Sequence, residues 1–267
     1  MSASCGLADL MEDGQPISGA AGGVLDTGAG WAGRWTTVWK VSGGDVVCPV
    51  RDLALFPIGG CEPVRRFSWR RGQRHRPGLQ FMVSTGRHHG FESLEEARLL
   101  LAVDFVGAVQ VVCQPFRLRF ITVDGPVGHV PDVLAVTAGG TWLIDVRPQG
   151  RIGEEDRVKF AASAEAALAA GWRYLVAAGW RPHVMETLDT LSSQRRPLTD
   201  PLGLTDLVLG GVASGPVSFG ELAALTVAPS VARAHLLHLL WHRQLSIDLV
   251  RPLTDFALVH PVAGRRG

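Results

Sequence analysis

The stretch that decides the fold reads His129-Val-Pro-Asp132-Val-Leu-Ala-Val-Thr137, then Ala138-Gly139-Gly140, then Thr141-Trp-Leu-Ile-Asp145-Val146-Arg147-Pro148. Both arms are apolar and β-branched, and a Gly-Gly pair between such arms predicts a β-hairpin. Pairing symmetric about Gly139-Gly140 sets Leu134 opposite Asp145 and Asp132 opposite Arg147. Side chains alternate between faces with period two. Asp132, Asp145 and Arg147 are therefore expected on one face, at the hairpin end far from the turn. Val133, Ala135, Ile144 and Val146 are expected on the other, as core. Two carboxylates and a cation at the mouth of an apolar sheet form a candidate site.

Upstream, Phe91-Glu-Ser93-Leu-Glu95-Glu96-Ala-Arg98-Leu-Leu100-Leu-Ala-Val103 opens with Ser93 three residues before Glu96, the signature of a capping box. Helical spacing puts Glu96 on one stripe with Leu100 and Val103, facing inward, and leaves Glu95 to pair with Arg98 toward solvent. Val109 to Pro115 and Phe116 to Thr122 read as strands that lead to a turn at Asp124-Gly125-Pro126. Downstream, Glu154 to about Ala170 reads as an alanine-rich helix ended by Gly171, followed by a strand from Trp172. Helix, three strands, helix, strand is an α/β order, with a mixed sheet flanked by helices.

Toward the N-terminus, residues 1–30 are Gly/Ala/Ser-rich and predict a flexible leader. Arg34-Trp35-Thr-Thr37-Val-Trp39-Lys-Val41 alternates, and with the turn at Ser42-Gly43-Gly44 it predicts a small β-unit with Trp35 and Trp39 in the core. The segment from Arg65 to Arg76 is basic with interleaved aromatics. Arg65, Arg66, Arg70, Arg71, Arg74 and Arg76 are candidate phosphate contacts, a solvated loop being the alternative. Beyond Pro201, two helices (from Phe219 and from Pro229) and a possible wing from Leu245 predict a winged-helix-like domain. His235, His238 and His242 share a helical face there, but no cysteine or carboxylate set accompanies them, so a polar stripe is the simpler reading.

The resulting layout is a leader (1–30), an N-terminal β-unit with the basic strip (31–85), an α/β core (86–198) and a winged-helix-like domain (199–267). The formal net charge of +1 hides this uneven distribution, and Lys40 and Lys159 are the only lysines. The four cysteines show no CxxC spacing, which argues against a zinc cluster or disulfide scaffold. No signal peptide and no apolar run of about 20 residues is present, so a soluble cytoplasmic protein is expected.

Glu96, Pro131-Asp132 and Asp145-Val146-Arg147 have the order and element placement of the PD-(D/E)xK nuclease core, and a restriction-endonuclease-like sheet is the expected fold. Carboxylates at a sheet edge suit Mg2+ or Mn2+, hard cations that neutralise charge on a phosphodiester and acidify the attacking water. Asp132 would be the central ligand, Asp145 and the Val146 carbonyl would sit beside it, and Glu96 would close the site. The third motif position is normally lysine, whereas Arg147 effectively cannot lose its proton. Lys159, on the following helix, is the candidate for the missing amine, with a solvated surface lysine as the alternative.

The set Phe91-Glu-Ser-x-x-Glu96, Asp104-Phe105, Gln114-Pro-Phe, Pro131-Asp132, Asp145-Val-Arg-Pro148 and Gly171-Trp-Arg-Tyr resembles TnsA, the endonuclease subunit of heteromeric transposases, over about residues 65 to 190. The C-terminal domain resembles that family's as well. The resemblance implies Mg2+-dependent cutting of double-stranded DNA at the 5′ ends of a transposon. It also implies a TnsB-like DDE transposase partner for the 3′ ends and an ATPase regulator, with Glu96, Asp132 and Asp145 as metal ligands. Two alternatives stay open: a degenerate, non-cleaving DNA- and transposase-binding subunit, and a stand-alone restriction or repair nuclease.

Overall fold

The structure, a computed structural model, describes residues 5–12, 22–65 and 76–262. The chain divides into two units, residues 11–179 and residues 1–10 with 180–267. In the larger unit the alternating segment builds β1 (Thr36–Val41) and β2 (Gly44–Pro49). They meet at a turn where Gly43 and Gly44 take φ of +116° and +136°, values that side chains rarely tolerate. β3 (Cys61–Glu62), β4 (Gly78–Met82) and β5 (Arg87–Phe91) follow, then α1 (Leu94–Phe105), β6 (Gln110–Cys113), β7 (Phe116–Thr122), β8 (Gly125–His129), β9 (Val133–Thr137), β10 (Gly140–Val146), α2 (Glu154–Ala169) and β11 (Arg173–Ala177).

These strands form two principal sheets. One is mixed, in the order β11-β10-β9-β6, with β10 and β11 parallel and the other pairs antiparallel. The other has the order β2-β1-β7-β8, with β3 also paired to β1. The expected separate N-terminal β-unit is corrected here. β1 pairs with β7 from Thr36↔Arg119 to Trp39↔Phe116, so it belongs to one sheet with later strands. β8 and the β4–β5 hairpin went unread because Pro126 and the short His/Gly-rich segment mask alternation.

The central hairpin forms with a shifted register. Thr137 pairs with Gly140 and Leu134 with Leu143, so Leu134 does not face Asp145, and Asp132 does not face Arg147. The turn is the two-residue Ala138-Gly139. Gly140 supplies a φ of +111°, and the Thr137 hydroxyl closes the loop by accepting from Gly139 N–H at 3.1 Å and donating to Gly140 O at 3.0 Å. Moving the turn centre by one residue moves every partner by two. Side-chain parity therefore survives, and continuing the ladder one step past Val133↔Ile144 sets Asp132 beside Asp145.

The core explains the alanine bias of α2. Ala161, Ala162, Ala166 and Ala167 pack in one cluster with Leu134 and Leu143 of the mixed sheet and with Trp35, Trp39, Phe116, Leu118 and Phe120 of the other. Methyl-sized side chains let one helix approach two sheets. Trp39 stacks on Phe56 at 4.3 Å and lies 4.7 Å from Phe116. On the opposite face of the mixed sheet Val133, Ala135 and Ile144 are buried, and α1 contacts β10. Leu25 joins the cluster through a backbone bridge to Thr122, so the segment read as a flexible leader is in part core.

The second unit contains α3 (Val184–Ser192), α4 (Leu204–Gly211), β12 (Val217–Ser218), α5 (Phe219–Ala224), α6 (Pro229–Trp241), β13 (Leu245–Ser246) and β14 (Leu258–Pro261). Its sheet order is β12-β14-β13. The boundary lies at Trp180, not at the expected 198, because α3 packs on α6. Leu7 and Leu10 are buried in this unit, a further correction to the leader. The histidine stripe is structural: His235 contacts the Thr205 hydroxyl at 3.1 Å, His238 donates to Gln194 O at 2.8 Å and His242 to Arg195 O at 3.0 Å. Among the described residues, no helix is long and apolar enough to cross a membrane.

Replacing the fully buried Ala166 by leucine should destabilise the protein by about 1–3 kcal/mol in urea titration, by overpacking. Leu168→Ala on the exposed face of the same helix should stay within about 0.5 kcal/mol of wild type.

Candidate active site

Glu96, Asp132, Asp145, Val146, Arg147 and Lys159 all line one cleft of about 600 Å³ in the larger unit. The elements explain why. Ser93 caps α1, its hydroxyl accepting from Glu96 N–H at 3.2 Å, which points the first turn of the helix inward as its pattern predicts. Glu96 is buried, while Glu95 pairs with Arg98 at 2.6 Å on the exposed side. The Glu96 carboxylate accepts from Glu92 N–H and the Ser93 hydroxyl, both at 2.9 Å. Asp132 is tied to β10 twice: its N–H donates to Ile144 O at 3.1 Å and its Oδ2 accepts from Val146 N–H at 2.7 Å.

Asp145, 1% exposed, has both oxygens engaged. His129 Nε2, from β8, donates to Oδ1 at 2.7 Å, and the Tyr174 hydroxyl, from β11, donates to Oδ2 at 2.7 Å. The Asp145 carboxylate is thus clamped by the two principal sheets at once.

Gln114 joins the remaining acids. It is fully buried, its N–H donates to Asp132 O at 2.8 Å, and its Nε2 lies 3.4 Å from Glu96 Oε2. Its φ is +41°, and among the described residues its Oε1 has no partner. A non-glycine residue in the left-handed region costs about 1–3 kcal/mol and persists where surrounding structure enforces it.

Electrostatics follow from this packing. Burial pushes the Asp132 carboxyl well above the usual aspartate range, and the charges of Asp145 and Glu96 push in the same direction. Burial likewise raises Glu96, against the hydrogen bonds from Glu92 and Ser93. Burial first, and then the Asp145 charge, raise Tyr174. Asp132 thus sits buried beside two other acids, with the charge of Arg65 opposing the shift of both Asp132 and Glu96.

The two cations are placed differently from the expectation. Arg147 Nε pairs with Asp156 at 3.2 Å and donates to Arg151 O at 3.2 Å. Lys159 pairs with the exposed Glu155 at 3.6 Å. Each borders the cleft while paired along its wall. Of the basic strip, Arg65 lines the cleft 4.0 Å from Glu92 and Arg76 is exposed. Arg66, Arg70, Arg71 and Arg74 lie outside the described residues. Sequence reading missed His129 and Tyr174 as site residues. Tyr174 had a weak signal, the polar end of a strand beside β10; His129 was legible only as the start of the hairpin segment.

Among the described residues, no group of three or more His, Cys, Asp or Glu side chains is arranged as a metal cage. The hard-oxygen donors and their mutual repulsion nonetheless fit Mg2+, which binds through few carboxylates and keeps several waters. The chain matches no model of a known protein family, and no curated protein sequence matches it.

Two outcomes check this electrostatic picture. The folded-state affinity of Asp132 for its proton exceeds the unfolded one. Its contribution to stability is therefore full below the ordinary aspartate range and is lost as pH rises through the raised value. Asp132→Asn should melt above wild type at pH 8 without metal, and the gap should close as the pH falls toward about 4. Tyr174→Phe, which strips a donor from a buried carboxylate, should cost about 1.5–3 kcal/mol in the same urea titration.

Proposed function

We propose that this chain is a metal-dependent DNA endonuclease, the TnsA-like subunit of a heteromeric transposase, hydrolysing phosphodiester bonds at the 5′ ends of a transposon. The observation that carries the reading is the meeting of Glu96, Asp132 and Asp145 at one cleft. The mixed sheet of helix-flanked strands supports it. So does the order α4, β12, α5, α6, β13, β14 of the second unit, which is that of a winged helix. A TnsB-like DDE transposase and an ATPase regulator are the partners this reading requires.

Asp132, Asp145 and the Val146 carbonyl would hold Mg2+ or Mn2+, with Glu96 at the helix side. When bound, such a cation stabilises charge on phosphoryl oxygens and makes water a better nucleophile. The chain's own residues do the positioning. His129 and Tyr174 orient the Asp145 carboxylate, and hydrogen-bonded partners of this kind are worth about 10–100-fold in metal affinity or activity. Arg147, always charged, acts on phosphate charge and not as a base. The pair of half-buried Lys159 with exposed Glu155 is a surface ion pair worth at most about 1 kcal/mol, so it does not hold Lys159 from the cleft.

A second reading is favoured by one observation. Arg147 is engaged with Asp156 and the Arg151 carbonyl, and among the described residues it makes no ion pair with Glu96, Asp132 or Asp145. On that reading the chain is a non-cleaving subunit that binds DNA and the transposase.

Nicking of transposon-end DNA in Mg2+ or Mn2+, with the partner transposase present, separates the two. Wild-type activity that falls more than about 100-fold in Asp132→Ala supports cleavage. A silent wild type restored by Arg147→Lys supports the second reading. No nicking by either protein would end the nuclease assignment.

A further inference from the structure

We infer that the exposed face of β7 and β8 is the track along which duplex DNA enters the cleft, with Arg117 and Arg119 contacting its phosphates beside Gly128. The inference rests on the endonuclease reading and assigns a surface that the basic strip at 65–76 does not include.

Three observations carry it. First, β7 alternates strictly: Phe116, Leu118 and Phe120 are buried, while Arg117 and Arg119 stand exposed on the outer face. Two residues along a strand separate them by roughly 6.6 Å of rise, so both guanidinium groups project from one ridge.

Second, among the described residues these cations have no carboxylate partner. Among the described residues, most basic side chains of the larger unit hold a carboxylate: Arg34 with Asp26, Lys40 with Glu62, Arg51 with Asp52, Arg65 with Glu92, Arg98 with Glu95, Arg147 with Asp156, Arg157 with Glu154 and Lys159 with Glu155. Among the described residues, neither Arg117 nor Arg119 has an acidic partner. Arg151, which also borders the cleft, is likewise without one. Unpaired arginine forks on one face match phosphate oxygens, and each phosphate they neutralise releases counterions.

Third, the ridge runs into the cleft over a glycine. Arg117 and Gly128 both line the cleft, and Gly128 is the cross-strand partner of Arg119 on the edge strand β8. Neither backbone nor packing demands a glycine there. Its φ lies outside the left-handed region, and an added Cβ would meet only Leu118 O at 3.9 Å, an ordinary contact. Strand glycines recur at bulges, at tight bends and where a ligand or another backbone approaches closely. Here the approaching chain would be the sugar-phosphate strand, passing from Arg119 over Gly128 toward the acids.

The test measures binding of mixed-sequence duplex DNA to the full chain by fluorescence anisotropy in EDTA, from 50 to 200 mM salt. Arg117→Ala/Arg119→Ala should bind at least tenfold more weakly than wild type at 100 mM salt. Its log–log salt slope should be shallower by about two, near 0.9 per lost phosphate contact. Gly128→Thr should weaken binding at least threefold while its melting temperature holds or rises, a combination that a merely structural role would not produce. Wild type that binds while the double variant keeps the full slope would overturn the track and leave the nuclease reading standing. Wild type that binds no duplex at all would overturn both.

Discussion

Everything at the cleft depends on how Asp132 is fastened to β10. Its backbone N–H reaches Ile144 O and its carboxylate reaches Val146 N–H, so one residue is bonded on both sides of Asp145. The hairpin ladder ends there, and the acid continues the pairing with its side chain where the backbone leaves the sheet. This arrangement brings two carboxylates to adjacent strands despite their repulsion. A weaker attachment would let Asp132 swing toward water, because burial beside two other acids disfavours its charge. The left-handed Gln114, bonded to both Asp132 and Glu96, carries the same constraint over to the helix side.

The site therefore holds local energetic conflict inside a well-packed frame. Buried carboxylates, a strained glutamine and an amide oxygen unsatisfied among the described residues lie beside a core of alanine, tryptophan and phenylalanine. Conflict of this kind persists only where the surroundings enforce it. The alanine helix α2 provides much of that enforcement by packing against both sheets, which in turn hold the two donors to Asp145. His129 comes from one sheet and Tyr174 from the other, so the orientation of this carboxylate reports on how the sheets sit together within the larger unit.

The arginine at position 147 has a structural meaning as well as a chemical one. A guanidinium group fits the start of α2, where Asp156 and the Arg151 carbonyl receive it. That planar cation, which effectively cannot lose its proton, is directed along the wall of the cleft.

The sequence by itself determined the local features. The start of α1 at Ser93, the inward stripe of Glu96, Leu100 and Val103, the end of α2 at Gly171 and the shared face of Asp132 and Asp145 all follow from interactions within a few residues. Parity along a strand is such a property, and it outlasted an error in register. Tertiary structure alone decided the rest: the union of β1 with β7, the pairing of Arg147 with Asp156, and the arrival of His129, Gln114 and Tyr174 around the acids. Those outcomes depend on contacts between residues far apart in the chain, whose partners no local pattern names.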